Sequence, residues 1–187
     1  DADPDDADFE LAENDTVGRK VQIDLTDMDL ESFRRDLDHD FGVISALIAG
    51  VEPVTPEHDL KLQALTKCVR DKVAAPINPA NHKVLVFSAF TDTANYLYRE
   101  LTPRLDDLGI RAAVVTGQGT PRTTIGKGFG YQEVLTLFSP QSKSRHLVMP
   151  DEERAIDLLI GTDCISEGQN LQDCDYLINY DIHWNPV

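Results

Sequence analysis

Two different rhythms of apolar residues divide this chain near residue 80. Before that point Leu30, Phe33, Leu37, Phe41, Ile44 and Leu47 recur every three or four residues, which lines one side of a helix. The spacing predicts a helix over 30–48 that breaks near Gly50, with Asp27 or Thr26 as its cap. A turn at 52–56 leads to a second helix with Leu62, Leu65, Val69 and Val73 on one side. Thr55 as cap and Pro56 at the first helical position give its expected start.

Beyond Pro76 and Pro79 the apolar runs become short and continuous. Segments 83–88, 110–116, 155–162 and 175–181 read as strands buried on both faces. Ala94, Leu97, Tyr98 and Leu101 predict a helix that Pro103 bends or ends, and 131–138 predicts a short one. Segments 117–130 and 139–150 read as a loop and an irregular stretch. Strands alternating with helices imply right-handed crossovers and a parallel sheet. The organisation expected is an acidic N-terminal arm at 1–26, a helical segment at 27–75, a linker at 76–82 and an α/β domain at 83–187. No internal repeat is visible.

Composition narrows the class. The 187 residues are 41% hydrophobic and 27% charged, as in a globular domain, and no apolar run spans a membrane. Seventeen basic against 33 acidic residues give a net charge of -16, which disfavours nonspecific binding to a nucleic-acid backbone but leaves room for a local basic site. Cys68, Cys164 and Cys174 have no ligand-like spacing. Disulfide scaffolding and structural zinc are therefore unexpected, and a reducing, cytoplasmic setting fits.

Ligands of an open parallel sheet bind beyond the carboxyl ends of its strands. The polar groups expected there are Ser88 with 90–93, Thr116 to Gln118, Thr162 and Asp163 with 166–170, and 181–185. Each has a structural reading: Thr91 can cap a helix, Gly117 can permit a turn, Asp163 can accept backbone hydrogen bonds. The run from Thr162 to Leu171 fits a packed core poorly, because it gathers small and polar groups directly after an apolar strand. A phosphate, a ribose or a nucleic-acid backbone suits it better. The glycines at 117–130 match neither a phosphate loop nor a dinucleotide fingerprint, since Lys127 is followed by Gly128 and no strand leads in. The five histidines lack metal-ligand spacing, and no nucleophile or carboxylate pair stands out.

These strand ends carry a known pattern. The run Val84 to Thr93 (VLVFSAFTDT) resembles the fourth motif in the second lobe of superfamily 2 helicases, and Val114 to Gly117 resembles the Thr-Gly element that follows it. The run Asp157 to Gln172 (DLLIGTDCISEGQNLQ) is similar to the fifth motif of Snf2-like ATPases. Ile178 to Pro186 (INYDIHWNP) resembles the approach to the sixth. The likeness covers about 83–187 and implies a RecA-like α/β fold.

In that family two lobes close on ATP and track along duplex nucleic acid. The resemblance implies nucleic-acid backbone contacts at Ser88, Thr116 and Thr162. It implies coupling or nucleotide-side positions at Glu167, Gly168 and Asn170, and a loop-ordering role for Asp163. ATP and Mg2+ would be bound mainly by an N-terminal RecA-like lobe of the same protein, with double-stranded DNA as the partner and no membrane. Two features depart from the pattern. Gly161 stands where this group commonly has Ala. The arginine-bearing sixth motif and the first lobe lie outside these 187 residues, so the fragment alone is expected not to hydrolyse ATP. Two other classes stay open: a regulatory or protein-interaction module built on a helicase lobe, and an unrelated α/β domain with a small-molecule site.

Overall fold

The computed structural model describes residues 16–17, 21, 23–117, 119–165 and 168–181. They divide into two compact units, 1–55 and 56–187. The first holds a small antiparallel pair, β1 (Thr16–Val17) and β2 (Ile23–Asp24), and a 22-residue helix, α1 (Leu30–Val51). The helix begins at Leu30 as expected, but its cap lies two or three residues later than Asp27 or Thr26. Asp29 is the N-cap, accepting the Ser32 N–H at 3.1 Å, while Thr26 and Asp27 lie in a preceding 3-10 turn. The helix ends at Val51, one residue past Gly50, near the expected break. No residue of α1 is buried.

The second unit is built around a sheet. Its strands are β3 (Val84–Phe87), β4 (Ala112–Val115), β5 (Arg122–Thr123), β6 (Leu158–Gly161) and β7 (Leu177–Asn179), in the spatial order β5-β4-β6-β3-β7. All neighbours are parallel except β5, which runs antiparallel to β4. The four longer strands fall inside the apolar runs, as expected. β5 lies inside the segment expected to be loop. It is two residues long, pairing Ala113 with Thr123 and Val114 with Arg122, and no periodicity can reveal a strand that short.

Side-chain alternation sorts the core into two layers. Val84, Val86, Ala112, Val114, Leu158 and Ile160 face one side, where they meet Leu62, Leu65 and Val69 of α2 (Leu60–Ala74) and Ala94, Leu97 and Leu101 of α3 (Thr91–Arg104). Leu85, Ala113, Val115 and Leu159 face the other, against Val134, Leu135, Leu137 and Phe138 of α4 (Tyr131–Phe138). Both faces being covered explains why the strands read as continuous apolar runs. α3 ends one residue past Pro103, at Arg104. A four-residue helix, α5 (Arg145–Val148), interrupts the stretch expected to be irregular.

The start of α2 is a correction with a tertiary cause. Thr55 and Pro56 precede a turn, and the helix begins at Leu60 under Asp59. Asp59 accepts the Leu62 N–H at 2.9 Å with one oxygen and the Tyr96 hydroxyl of α3 at 2.9 Å with the other. A cap that also ties two helices together wins over one that serves a single helix end. The segment expected as 27–75 thus contributes one helix to each compact unit.

Candidate functional site

The register of the sheet aligns the expected residues. Phe87 and Val115 both pair with Gly161, and Phe87 pairs with Asn179. The ladder continues one step further: Thr162 N–H donates to Val115 O at 3.3 Å, Ser88 N–H to Gly161 O at 3.0 Å, and Tyr180 N–H to Phe87 O at 2.8 Å. Thr116, Thr162, Ser88 and Tyr180 therefore form a row across four strand ends. Neighbouring strands lie about 4.8 Å apart, so the row spans roughly 14 Å.

The members of the row differ in exposure. Thr116 is half-buried. Thr162 is 7% exposed, its Oγ1 3.5 Å from the Cys164 Sγ. Ser88 is 2% exposed, and its hydroxyl donates to Asp181 at 2.6 Å. Asp181 also accepts the Ala89 N–H at 3.0 Å and the Lys61 ammonium at 3.3 Å. Burial pushes the Asp181 carboxyl up, but these three donors outweigh it and hold the group below the ordinary aspartate range.

After Thr162 the chain makes a 3-10 turn at Asp163–Ile165, closed by Ile165 N–H to Thr162 O at 3.0 Å. The Tyr131 hydroxyl of α4 donates to the Cys164 carbonyl at 2.7 Å. Asp163 itself is exposed. Gly168 has φ of +67°, the left-handed region in which a side chain would be strained. Asn170 is exposed, and Gln169 accepts from Lys143 at 2.9 Å. Ser166, Glu167, Gln118 and 182–187 lie outside the described residues. The row thus brings together Ser88, Thr116 and Thr162, with Asp163, Gly168 and Asn170 on the adjoining loop.

The Gly161 departure has a structural reason. A Cβ built there would stand 2.2 Å from Ile165 Cδ1 and 2.8 Å from its Cγ1, so the buried Ile165 occupies the space an alanine methyl would need.

Sequence reasoning missed the residues that fasten the sheet and its loops. Asp173 accepts the Gln141 N–H at 2.7 Å, the Ser142 N–H at 2.9 Å and the Ser142 hydroxyl, pinning the loop after Asn170 to the turn before α5. Burial raises its carboxyl, and those bonds more than reverse the effect. Lys83, at the amino end of β3, donates to the Ile156 carbonyl at 2.9 Å and is depressed by burial. Lys61 and Lys72 of α2 had no signal at all, since each meets an aspartate more than 100 residues later.

A mostly parallel sheet, helices on both faces and polar loops at its carboxyl edge define an RecA-like α/β lobe. The helicase conserved C-terminal domain matches residues 61–187, and the chain belongs to that family. The match begins inside α2, the helix that packs under the sheet. No curated protein matches the chain. Membership makes it part of a helicase-like protein. Among the described residues no helix is long and apolar enough to cross a membrane.

Proposed function

We propose that the chain is the second lobe of an ATP-dependent translocase of the Snf2-like group, coupling ATP hydrolysis to movement on, or remodelling of, duplex DNA in the cytoplasm. The observation that carries this reading is the strand-end row: hydroxyl residues on three adjacent strands lie level with one another at the sheet's ligand-binding edge. An extended phosphate backbone is the ligand such a row suits, since it takes hydrogen bonds at repeated intervals from hydroxyls and backbone N–H groups. Thr116 and Thr162 contact that backbone. Ser88 belongs to the same contact and shapes it by fixing the turn that follows.

Glu167, Gly168 and Asn170 face the nucleotide or couple it to the row, and Asp163 orders their loop. No group of three or more His, Cys, Asp or Glu side chains among the described residues is placed to hold a metal ion. The family resemblance assigns ATP and Mg2+ mainly to an N-terminal lobe of the same protein. The net charge of -16 favours a second reading, a protein-interaction module that kept the lobe.

ATP turnover separates the two. The protein carrying both lobes should hydrolyse ATP faster with double-stranded DNA than without, while these 187 residues alone should show no turnover. Absence of hydrolysis with and without duplex moves the assignment to the interaction module.

A further inference from the structure

α2 lies along the edge strand β7 and is fastened to it twice, by the same three residue types each time. Near its start Lys61 pairs with Asp181 at 3.3 Å and sits 3.8 Å over the Tyr180 ring. Eleven residues on, Lys72 pairs with Asp175 at 2.7 Å and sits 5.9 Å from the Tyr176 ring. Eleven residues of helix rise about 16 Å, close to the reach of a strand from Asp175 to Asp181. The two clamps therefore bracket β7.

They differ in what else they hold. Around the Lys72 clamp, Asn78 donates to Asp175 at 2.7 Å and Lys72 donates to the Asn81 carbonyl at 3.0 Å, all at the amino end of the strand. The Lys61 clamp is at the carboxyl end. There one oxygen of Asp181 takes Lys61, while the other takes both the Ser88 hydroxyl and the Ala89 N–H. The Phe90 N–H in turn donates to Ser88 Oγ at 3.3 Å. The turn from β3 into α3 thus hangs from a carboxylate just past the end of the neighbouring strand.

We propose that Asp181 is a positioning residue of the strand-end row: it sets the Ser88–Phe90 turn from β7 and ties that turn to α2 through Lys61. The proposal rests on the motor reading for its functional consequence, but its geometry is independent of it. A shift of β7 or α2 must move the row at Ser88, whereas the Lys72 clamp has no such outlet. Asp175 is thus a matched control: same residue type, flanking the same strand, paired with the same helix, and without a bond to Ser88 or Ala89.

The first readout is amide exchange in the full 187-residue chain. Asp181→Ala should speed exchange of the Ala89 amide by about tenfold or more, and Asp175→Ala should leave it unchanged. In the protein carrying both lobes, Asp181→Ala should lower kcat for duplex-stimulated ATP turnover about tenfold with KM for ATP within about twofold. Lys61→Met should act in the same direction more weakly, and Lys61→Arg should restore the rate; these variants serve if Asp181→Ala does not fold. Asp175→Ala should lower the melting temperature without changing kcat. Ala89 exchange that ignores Asp181, or equal loss of kcat in the Asp181 and Asp175 variants, overturns the proposal. A wild-type protein without duplex stimulation overturns the motor reading instead, and the exchange result then decides the positioning claim alone.

Discussion

α1 and α2 are neighbours in sequence with similar apolar spacing, yet their faces have opposite fates. α2 buries Leu62, Leu65 and Val69 at 0–4% exposure beneath the sheet. α1 leaves Leu37, Phe41, Ile44 and Leu47 at 51–73% exposure. Apolar periodicity announces a helix, and it does not say what the helix packs on. In α2 that answer comes from long-range ion pairs and from Asp59, which caps the helix and receives Tyr96.

Leu62→Ala should cost about 3 kcal/mol in urea unfolding followed by circular dichroism, the usual loss for a fully buried leucine. A cost under about 1 kcal/mol would mean that α2 contributes little to the core. Asp175→Ala comes next, at about 2–3 kcal/mol, because it removes the carboxylate from a Lys72 ammonium at 1% exposure and leaves it the Asn81 carbonyl and the Tyr176 ring.

The acid limb sharpens the contrast further. Asp175 and Asp181 are both held below the ordinary aspartate value of 3.8: burial raises each, and lysine, serine, asparagine and backbone donors reverse it. A depressed carboxyl stabilises the fold above its unfolded value and loses that contribution as pH falls through the folded one. Thermal melts should therefore change little between pH 7 and 5 on account of these two groups, and fall below 3.8. The Asp175→Ala variant should show a shallower fall. The smallest effect belongs to α1, where Leu37→Ala should stay within about 0.5 kcal/mol in the same urea experiment. A larger loss would show that the exposed face is covered in solution.

Much of the sheet was legible because both its faces are buried. Continuous runs such as Val84 to Phe87 and Leu158 to Gly161 leave few alternatives to an interior parallel strand. The run after Thr162 was legible only in part: Asp163, Gly168 and Asn170 are exposed, while Ile165 joins the core and Cys164 and Leu171 pack against it. Three kinds of feature were not. β5 is too short to carry a period. The cap of α2 was decided by Tyr96, 37 residues away. The fastening of the row depends on Asp181, which looks in sequence like one polar residue among several after a strand. Its partners Lys61 and Ser88 lie 120 and 93 residues earlier. Local chemistry can be read from neighbours, and contacts of that span cannot.

The central claim is that the row of strand ends serves a nucleic-acid backbone. It is tested most directly by ATP turnover of the two-lobe protein with and without duplex DNA, in wild type and in Thr116→Ala/Thr162→Ala. Duplex should stimulate the wild type, and the double variant should lose most of the stimulation while keeping its DNA-free rate. Equal stimulation in both proteins would contradict it.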